Sequence, residues 1–168
     1  YWSDDIAGTF PYFEGGSSGL LNIASVLPNN VDTITALALH NGFLIIFCEH
    51  NIIVYSGAEN PLGSSFAVSD VIAGVGCIAR DSVQSTGNDL IFLSGTGIRS
   101  LGRLIQEKSL PMRDLTKNVR DDLLKDINQE RANVGDLSGV RSIYSEINAF
   151  YLLSFPSTET VYCLDMRQ

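Results

Sequence analysis

Short apolar runs separated by turn-forming pairs dominate the middle of the chain. From Thr33 to Gly57 the order is TITALALH, Asn41-Gly42, FLIIFCE, His50-Asn51 and IIVYSG. Asn-Gly suits the two positive-φ positions of a type I′ hairpin turn, and the flanking Ile, Val, Phe and Tyr favour strands. This stretch therefore predicts a three-stranded antiparallel meander. Phe43 to Cys48 is apolar at every position, which predicts a middle strand covered on both pleat faces. The pattern returns as SVQST, Gly87-Asn88, DLIFLS, Gly95-Thr96-Gly97 and IRSLGRL, and again as VRSIYSE, Ile147-Asn148, AFYLLSF, Pro156 to Glu159 and TVYCLDM. An Asn stands at or beside the turn ahead of each apolar middle strand: Asn41, Asn88 and Asn148, spaced 47 and then 60 residues apart. The longer second interval is accounted for by a helical insertion from about Leu115 to Asn133, where Leu115, Val119, Leu123 and Ile127 recur every fourth position. Lys117 with Asp121, and Asp121 with Lys125, add charge pairs on its polar side.

A meander repeating at about 47 residues lies at the period of β-propeller blades, which run roughly 40 to 50 residues. The expected fold is mainly all-β: β-propeller-like repeated antiparallel meander blades with one inserted α-helix. Blade-like modules fall at about 33–57, 82–104 and 140–167, the helical insertion at about 115–133, and residues 1–168 form part of one propeller domain. A sandwich of stacked meanders satisfies the same pattern. A blade cannot hide both faces alone, and only about three and a half blades fit this length, so closure calls for more chain or for other copies.

Composition narrows the class. The 168 residues are 45% hydrophobic and 18% charged, which excludes a disordered tail, and the 15 Gly and 5 Pro have no triplet period. No apolar stretch approaches the ~18 to 20 residues that span a bilayer, because Glu49 and His50 end the best run, so no membrane insertion by this segment is expected. The opening Tyr1-Trp2-Ser3-Asp4-Asp5 has no initiator Met and no signal-peptide pattern, which suggests an internal piece of a longer chain. The formal charge of -8 is uneven: residues 1–79 hold seven carboxylates and no Lys or Arg, and the first base is Arg80. Such a half repels phosphate backbones and so disfavours tight nucleic-acid binding; ordinary solubility charge accounts for it, and so would a conduit that lets DNA slide without sticking.

Catalytic chemistry is sparse. His40 and His50 bracket one strand and should lie roughly 25 to 30 Å apart, too far to share a metal. Cys48, Cys77 and Cys163 form no CxxC pair and read as buried strand thiols. The loop Gly15 to Gly19 lacks the Lys and helix of a phosphate loop, and Gly74-Val75-Gly76 and Gly95-Thr96-Gly97 read as turns. Ser3 to Phe10 resembles the Asp-box turn of sialidase-type propellers with one extra residue between Asp5 and Gly8, and that turn is structural. Asp4 and Asp5 are sequence neighbours that would point to opposite faces of a strand, so they cannot form the opposed pair of a glycosidase. No enzyme activity, cofactor or metal is expected.

The string Tyr1-Trp2-Ser3, Ile34 to Leu37, Asn41 to Phe47, Ile53 to Gly57, Gly76-Cys77, Asp89 to Ser94, Gly97 to Leu101 and Val161 to Arg167 resembles the tail tubular B, or nozzle, proteins of short-tailed (podovirus-type) bacteriophages. That resemblance implies a β-propeller-based structural virion protein of the phage tail. Its subunits would form a homo-oligomeric, hexameric ring next to portal, adaptor and tail-fibre proteins, and the ring would be the DNA ejection channel through which DNA passes without specific binding. The acidic candidates for a channel or rim surface are Asp4, Asp5, Glu49, Glu59 and Asp70. The alternative is a propeller binding module that recognises a glycan or protein partner through Trp2, Tyr12 and Phe13.

Overall fold

A computed structural model describes residues 21–27, 31–59, 66–106, 115–116 and 118–167. The fold is mainly β, with three antiparallel sheets that are each a meander in chain order. The first holds β1 (Ile34–His40), β2 (Phe43–Cys48), β3 (Asn51–Ser56) and β4 (Ala67–Ala73). The second holds β5 (Gln84–Ser85), β6 (Leu90–Ser94) and β7 (Gly97–Ser100), and the third holds β8 (Arg141–Ser145), β9 (Phe150–Phe155) and β10 (Thr160–Asp165). Asn41 at φ 50° and Gly42 at φ 79° make the left-handed pair that the first hairpin turn requires.

The sheets stack because their middle strands are apolar on both faces. Along β2, Ile45 and Phe47 point into one core while Ile46 and Cys48 point into another. On β6, Leu90 and Phe92 meet the first sheet while Ile91 and Leu93 meet the third. The second sheet therefore lies between the other two, with the Phe47 and Phe92 rings 4.9 Å apart across the first junction. Each fully buried ring or branched chain contributes roughly 1.5 to 3 kcal/mol relative to exposure. The far face of the first sheet is covered by Leu21, Ile23, Leu27 and Phe66. On the third sheet Tyr151, Leu153 and Phe155 face inward and fully bury, whereas Leu152 faces outward and Ile143 and Val161 on the neighbouring strands are exposed. Among the described residues its cover is one-sided, unlike that of the two sheets before it.

Several segments differ from the sequence reading. Leu101–Gln106, expected to continue a strand through Leu104, forms helix α1. The Asp89 carboxylate opposite accepts the Gly102 N–H at 2.7 Å and also the Ser100 hydroxyl, so it caps the turn, and Leu101 and Leu104 bury three residues apart. The inserted helix, α2, spans Arg120–Val134 rather than beginning near Leu115. Asp121 and Asp122 favour the positive N-terminal end of its dipole, and Gly135 at φ 93° ends it in a left-handed cap. Of the four apolar residues at fourth positions, Leu123 and Ile127 bury in the core shared by the second and third sheets, Leu115 packs there in part with its N–H on the Ile98 carbonyl of β7, and Val119 stands outside the helix and exposed. Lys117 lies outside the described residues. Strand β4 lies outside the modules read from the sequence; Ser69 and Asp70 interrupt its apolar residues, and only Val71 and Ile72 pack against the cores. Of the three thiols read as buried strand residues, Cys48 and Cys77 are buried but Cys77 sits in a connection, and Cys163 is exposed.

That connection holds the first two sheets together. The Cys77 N–H donates to the Cys48 carbonyl at 2.9 Å, and the Ile78 N–H to the Leu93 carbonyl at 2.9 Å, so two successive residues tie β2 to β6. The approach is possible because Gly76 has no side chain: a Cβ there would lie 2.2 Å from the Cys48 carbonyl oxygen and 2.4 Å from the Glu49 carbonyl carbon. Gly76→Ala is expected to destabilise the protein by about 3 kcal/mol or more, because two backbones must separate. Gly74→Ala, which meets nothing within 4 Å but keeps φ at 79°, should cost about 1 kcal/mol. Urea unfolding of the two variants checks the order.

Candidate functional site

The three sheets converge on a single 3-10 turn, Arg80–Ser82. Ser82 is fully buried; its hydroxyl donates to the Ala79 carbonyl at 2.6 Å and accepts the Leu93 N–H of β6 at 2.9 Å. Its carbonyl accepts the buried Tyr151 hydroxyl of β9 at 2.7 Å. From β8 the Ser142 hydroxyl donates to the Asp81 carbonyl at 2.8 Å, and the Gln84 side chain of β5 donates back to the Ser142 carbonyl at 3.1 Å. The Cys77 thiol donates to the Ala79 carbonyl at 3.1 Å. Every one of these polar groups would be costly to bury alone, so the turn adopts a shape that satisfies all of them together. Burial pushes the Tyr151 hydroxyl well above its ordinary range, and it stays a neutral donor. Outside this knot Arg141 reaches the Asp81 carboxylate at 2.9 Å and Arg80 reaches it at 2.9 Å, both in partial solvent.

Between this turn and β1 lies an open cleft of about 510 Å³. One wall is β1 from Ile34 to Leu39, the edge strand of its sheet, and the other carries Arg80, Asp81, Val83 and Ser85. Its chemistry is small and apolar with one ion pair, without a nucleophile paired to a base.

A second constellation surrounds Asp32. Its side chain is only 2% exposed, and its two oxygens accept the Thr33 N–H at 2.9 Å, the His50 N–H at 3.1 Å and the Asn51 side-chain amide at 2.7 Å, with the His50 ring 3.4 Å away. Burial alone would raise this carboxyl, but the donors from Asn51, His50 and Thr33 outweigh it and hold it below the ordinary value. With Glu49, Asp32 and His50 make the one grouping of three metal-ligand-type side chains among the described residues. The lone pairs of Asp32 are already engaged by the β2–β3 turn, and Glu49 has the Arg131 guanidinium at 4.0 Å, so the arrangement is that of a loop brace. Sequence reasoning missed it because Asp32 and His50 lie 18 residues apart.

The acidic candidates do not converge. Glu49 sits in the turn before β3 and Glu59 beyond its far end, with the whole strand between them, and Asp70 lies on β4. Asp4, Asp5, Trp2, Tyr12, Phe13 and the Gly15–Gly19 loop lie outside the described residues. His40 and His50 occupy opposite ends of β2, His40 within 3.1 Å of the Asn41 amide. Burial pushes the Cys48 thiol up to about 11, with the Asp32 charge adding to it, and burial also raises Cys77.

No family model and no curated protein matches the sequence.

Ser82→Ala is expected to cost about 1 to 3 kcal/mol, since it orphans the buried Leu93 N–H, and Tyr151→Phe about 1 kcal/mol; chemical denaturation measures both. The depressed Asp32 carboxyl contributes stability that is fully present above its unfolded value of 3.8 and is lost as pH falls below it. Urea midpoints recorded from neutral pH down through that range should fall less steeply for Asp32→Asn, starting from a lower plateau.

Proposed function

We propose that this chain is a structural wall module, a subunit of the tail tube or nozzle of a short-tailed bacteriophage. On this reading the three meanders are successive blades of a β-propeller-like ring, β1, β5 and β8 are the strands nearest its axis, and β4 and β10 lie outermost. The observation that carries it is the stacking of the sheets in chain order, fastened where Gln84 of β5 meets Ser142 of β8 beside the Arg80–Ser82 turn. A wall needs rigidity more than chemistry, and buried, fully bonded junctions between sheets supply it. The outward face of the third sheet, which no described residue covers, supports a module that is completed by further sheets. The uneven acidity supports a surface over which DNA moves without adhering.

The partners on this reading are other subunits of a six-fold ring, the portal or adaptor above and tail-fibre proteins beside it. Glu49 and Glu59 mark opposite ends of the blade, where channel mouths would lie, and Asp70 on β4 lies on the outer side. Electron-microscopic reconstruction of particles carrying this chain should place it in a six-fold ring around the DNA path. A location away from the tail, or saturable binding of the purified chain to a glycan array, contradicts the proposal. Neutralising Glu49 and Glu59 together with Asp4 and Asp5 should slow genome ejection or raise DNA retention, while Asp70→Asn leaves both unchanged. An ejection rate unaffected by the quadruple change removes the acidic channel.

A further inference from the structure

Six consecutive residues of β1, Ile34 to Leu39, line the cleft beside the Arg80–Ser82 turn. Side chains alternate across a strand, so a hollow on one face would touch every second residue. Contact with all six means that the cleft runs along the backbone edge of β1, the outer strand of its sheet. The pairing register tells which groups face it. The two-residue Asn41-Gly42 turn makes His40 and Phe43 a hydrogen-bonded pair, and antiparallel alternation extends this to Ala38 with Ile45 and Ala36 with Phe47. Leu37 and Leu39 hold the alternate positions, so their N–H and carbonyl groups point away from β2 into the cleft. Among the described residues no backbone group bonds to them there.

Two donors and two acceptors in a row at strand spacing are matched by the backbone of an extended peptide. Spread along six residues at ~3.3 Å each, the cleft's volume of about 510 Å³ makes a channel about 5 Å across, the width of one strand. A second copy would have to bring its β2 to β4 behind its β1, where the wall of Val83 and Ser85 stands. Residues added opposite Leu37 and Leu39 fall on the same sheet face as those side chains, which are 64% and 70% exposed, so apolar residues there would cover them. The residue between points towards the core side and must be small. Charge adds a further demand. Asp81 on the far wall receives both Arg80 and Arg141 at 2.9 Å, which leaves one positive charge in excess beside the cleft in a chain of net charge -8. An acidic residue on the incoming segment complements it.

We propose that the β1 edge is a docking site for a short extended peptide of a partner protein, with apolar residues at alternate positions, small polar residues between them and an acidic flank. The peptide adds a fifth strand to the four-stranded first sheet. The inference does not depend on the tail reading, which turns this edge towards the axis of the blades and gives it no occupant.

Nuclear magnetic resonance of the purified chain, titrated with the peptide acetyl-Glu-Val-Ser-Val-Thr-Val-Glu-amide, tests it. At about 90% occupancy, solvent exchange of the Leu37 and Leu39 amides should slow about tenfold, while the Ala36, Ala38 and His40 amides, already held by β2, stay as they are. The peptide N-methylated at its valines should not bind, because it lacks the N–H groups that the Leu37 and Leu39 carbonyls accept. Leu37→Pro removes an outward N–H and keeps the bonds to β2, so circular dichroism should show an intact fold and binding should be lost. The methylated peptide tests the same point with the protein unaltered. A lysine-flanked peptide should bind about two- to fivefold more weakly, a difference that Arg80→Glu cancels. Unchanged exchange at Leu37 and Leu39, full binding of the methylated peptide, or a preference for the lysine peptide would each overturn the proposal. So would slow exchange of these two amides in the chain alone, which would mean a second copy if it grew with protein concentration and a segment of the same chain if it did not.

Discussion

A sheet whose middle strand is apolar on both pleat faces has to be covered twice, and this requirement organises the molecule. All five residues of β6 are buried, Leu90 and Phe92 to one side, Ile91 and Leu93 to the other. A single sheet with that sequence would leave one apolar face in water, so the second meander is stable only between two others. The first meander meets the same demand by drawing the 21–27 segment over its far side. The third needs less cover because β9 alternates: Tyr151, Leu153 and Phe155 are fully buried, while Phe150, Leu152 and Ser154 on its other face are only half-buried.

Apolar contact is non-directional, and polar groups fix how the sheets sit on one another. Within the connection from Gly74 to Val83 the residues Val75, Gly76, Cys77, Ala79 and Ser82 are buried, so polar groups there need protein partners. They find them on strands of different sheets: Cys48 of β2, Leu93 of β6, Ser142 of β8 and Tyr151 of β9. The same residues that spare the connection a desolvation cost therefore set the spacing of the stack. Gly76 allows the closest of these approaches. A unit whose sheets are joined by buried, fully bonded connections is stiff across those junctions.

Much of the architecture was legible in the sequence. Asn41-Gly42 dictated its turn, and the unbroken apolar runs Phe43 to Cys48 and Leu90 to Leu93 announced strands covered on both sides. Other features depend on contacts that sequence spacing does not display. IRSLGRL satisfies strand preferences, but Asp89, a residue of the preceding turn, reaches across to cap Leu101–Gln106 as a helix. The fourth-position apolar repeat starting at Leu115 overran the helix, since Val119 serves as its cap residue. Asp32 looked like one more surface acid until the fold brought His50 and Asn51 to it. Glu49 and Glu59 flank the run IIVYSG, so the strand that separates them was already legible in the sequence.

Native-state hydrogen exchange at the Leu93 and Ile78 amides tests most directly whether the stack behaves as one unit tied at the Arg80–Ser82 turn. Both N–H groups bond across a junction, one to the Ser82 hydroxyl and the other to the Leu93 carbonyl. If the junction is integral, they exchange only through global unfolding, with the same free energy and the same denaturant dependence as the amides of β6 paired within its sheet. Exchange of these two amides through a local opening, at a free energy well below that of β6 and insensitive to denaturant, would contradict the account.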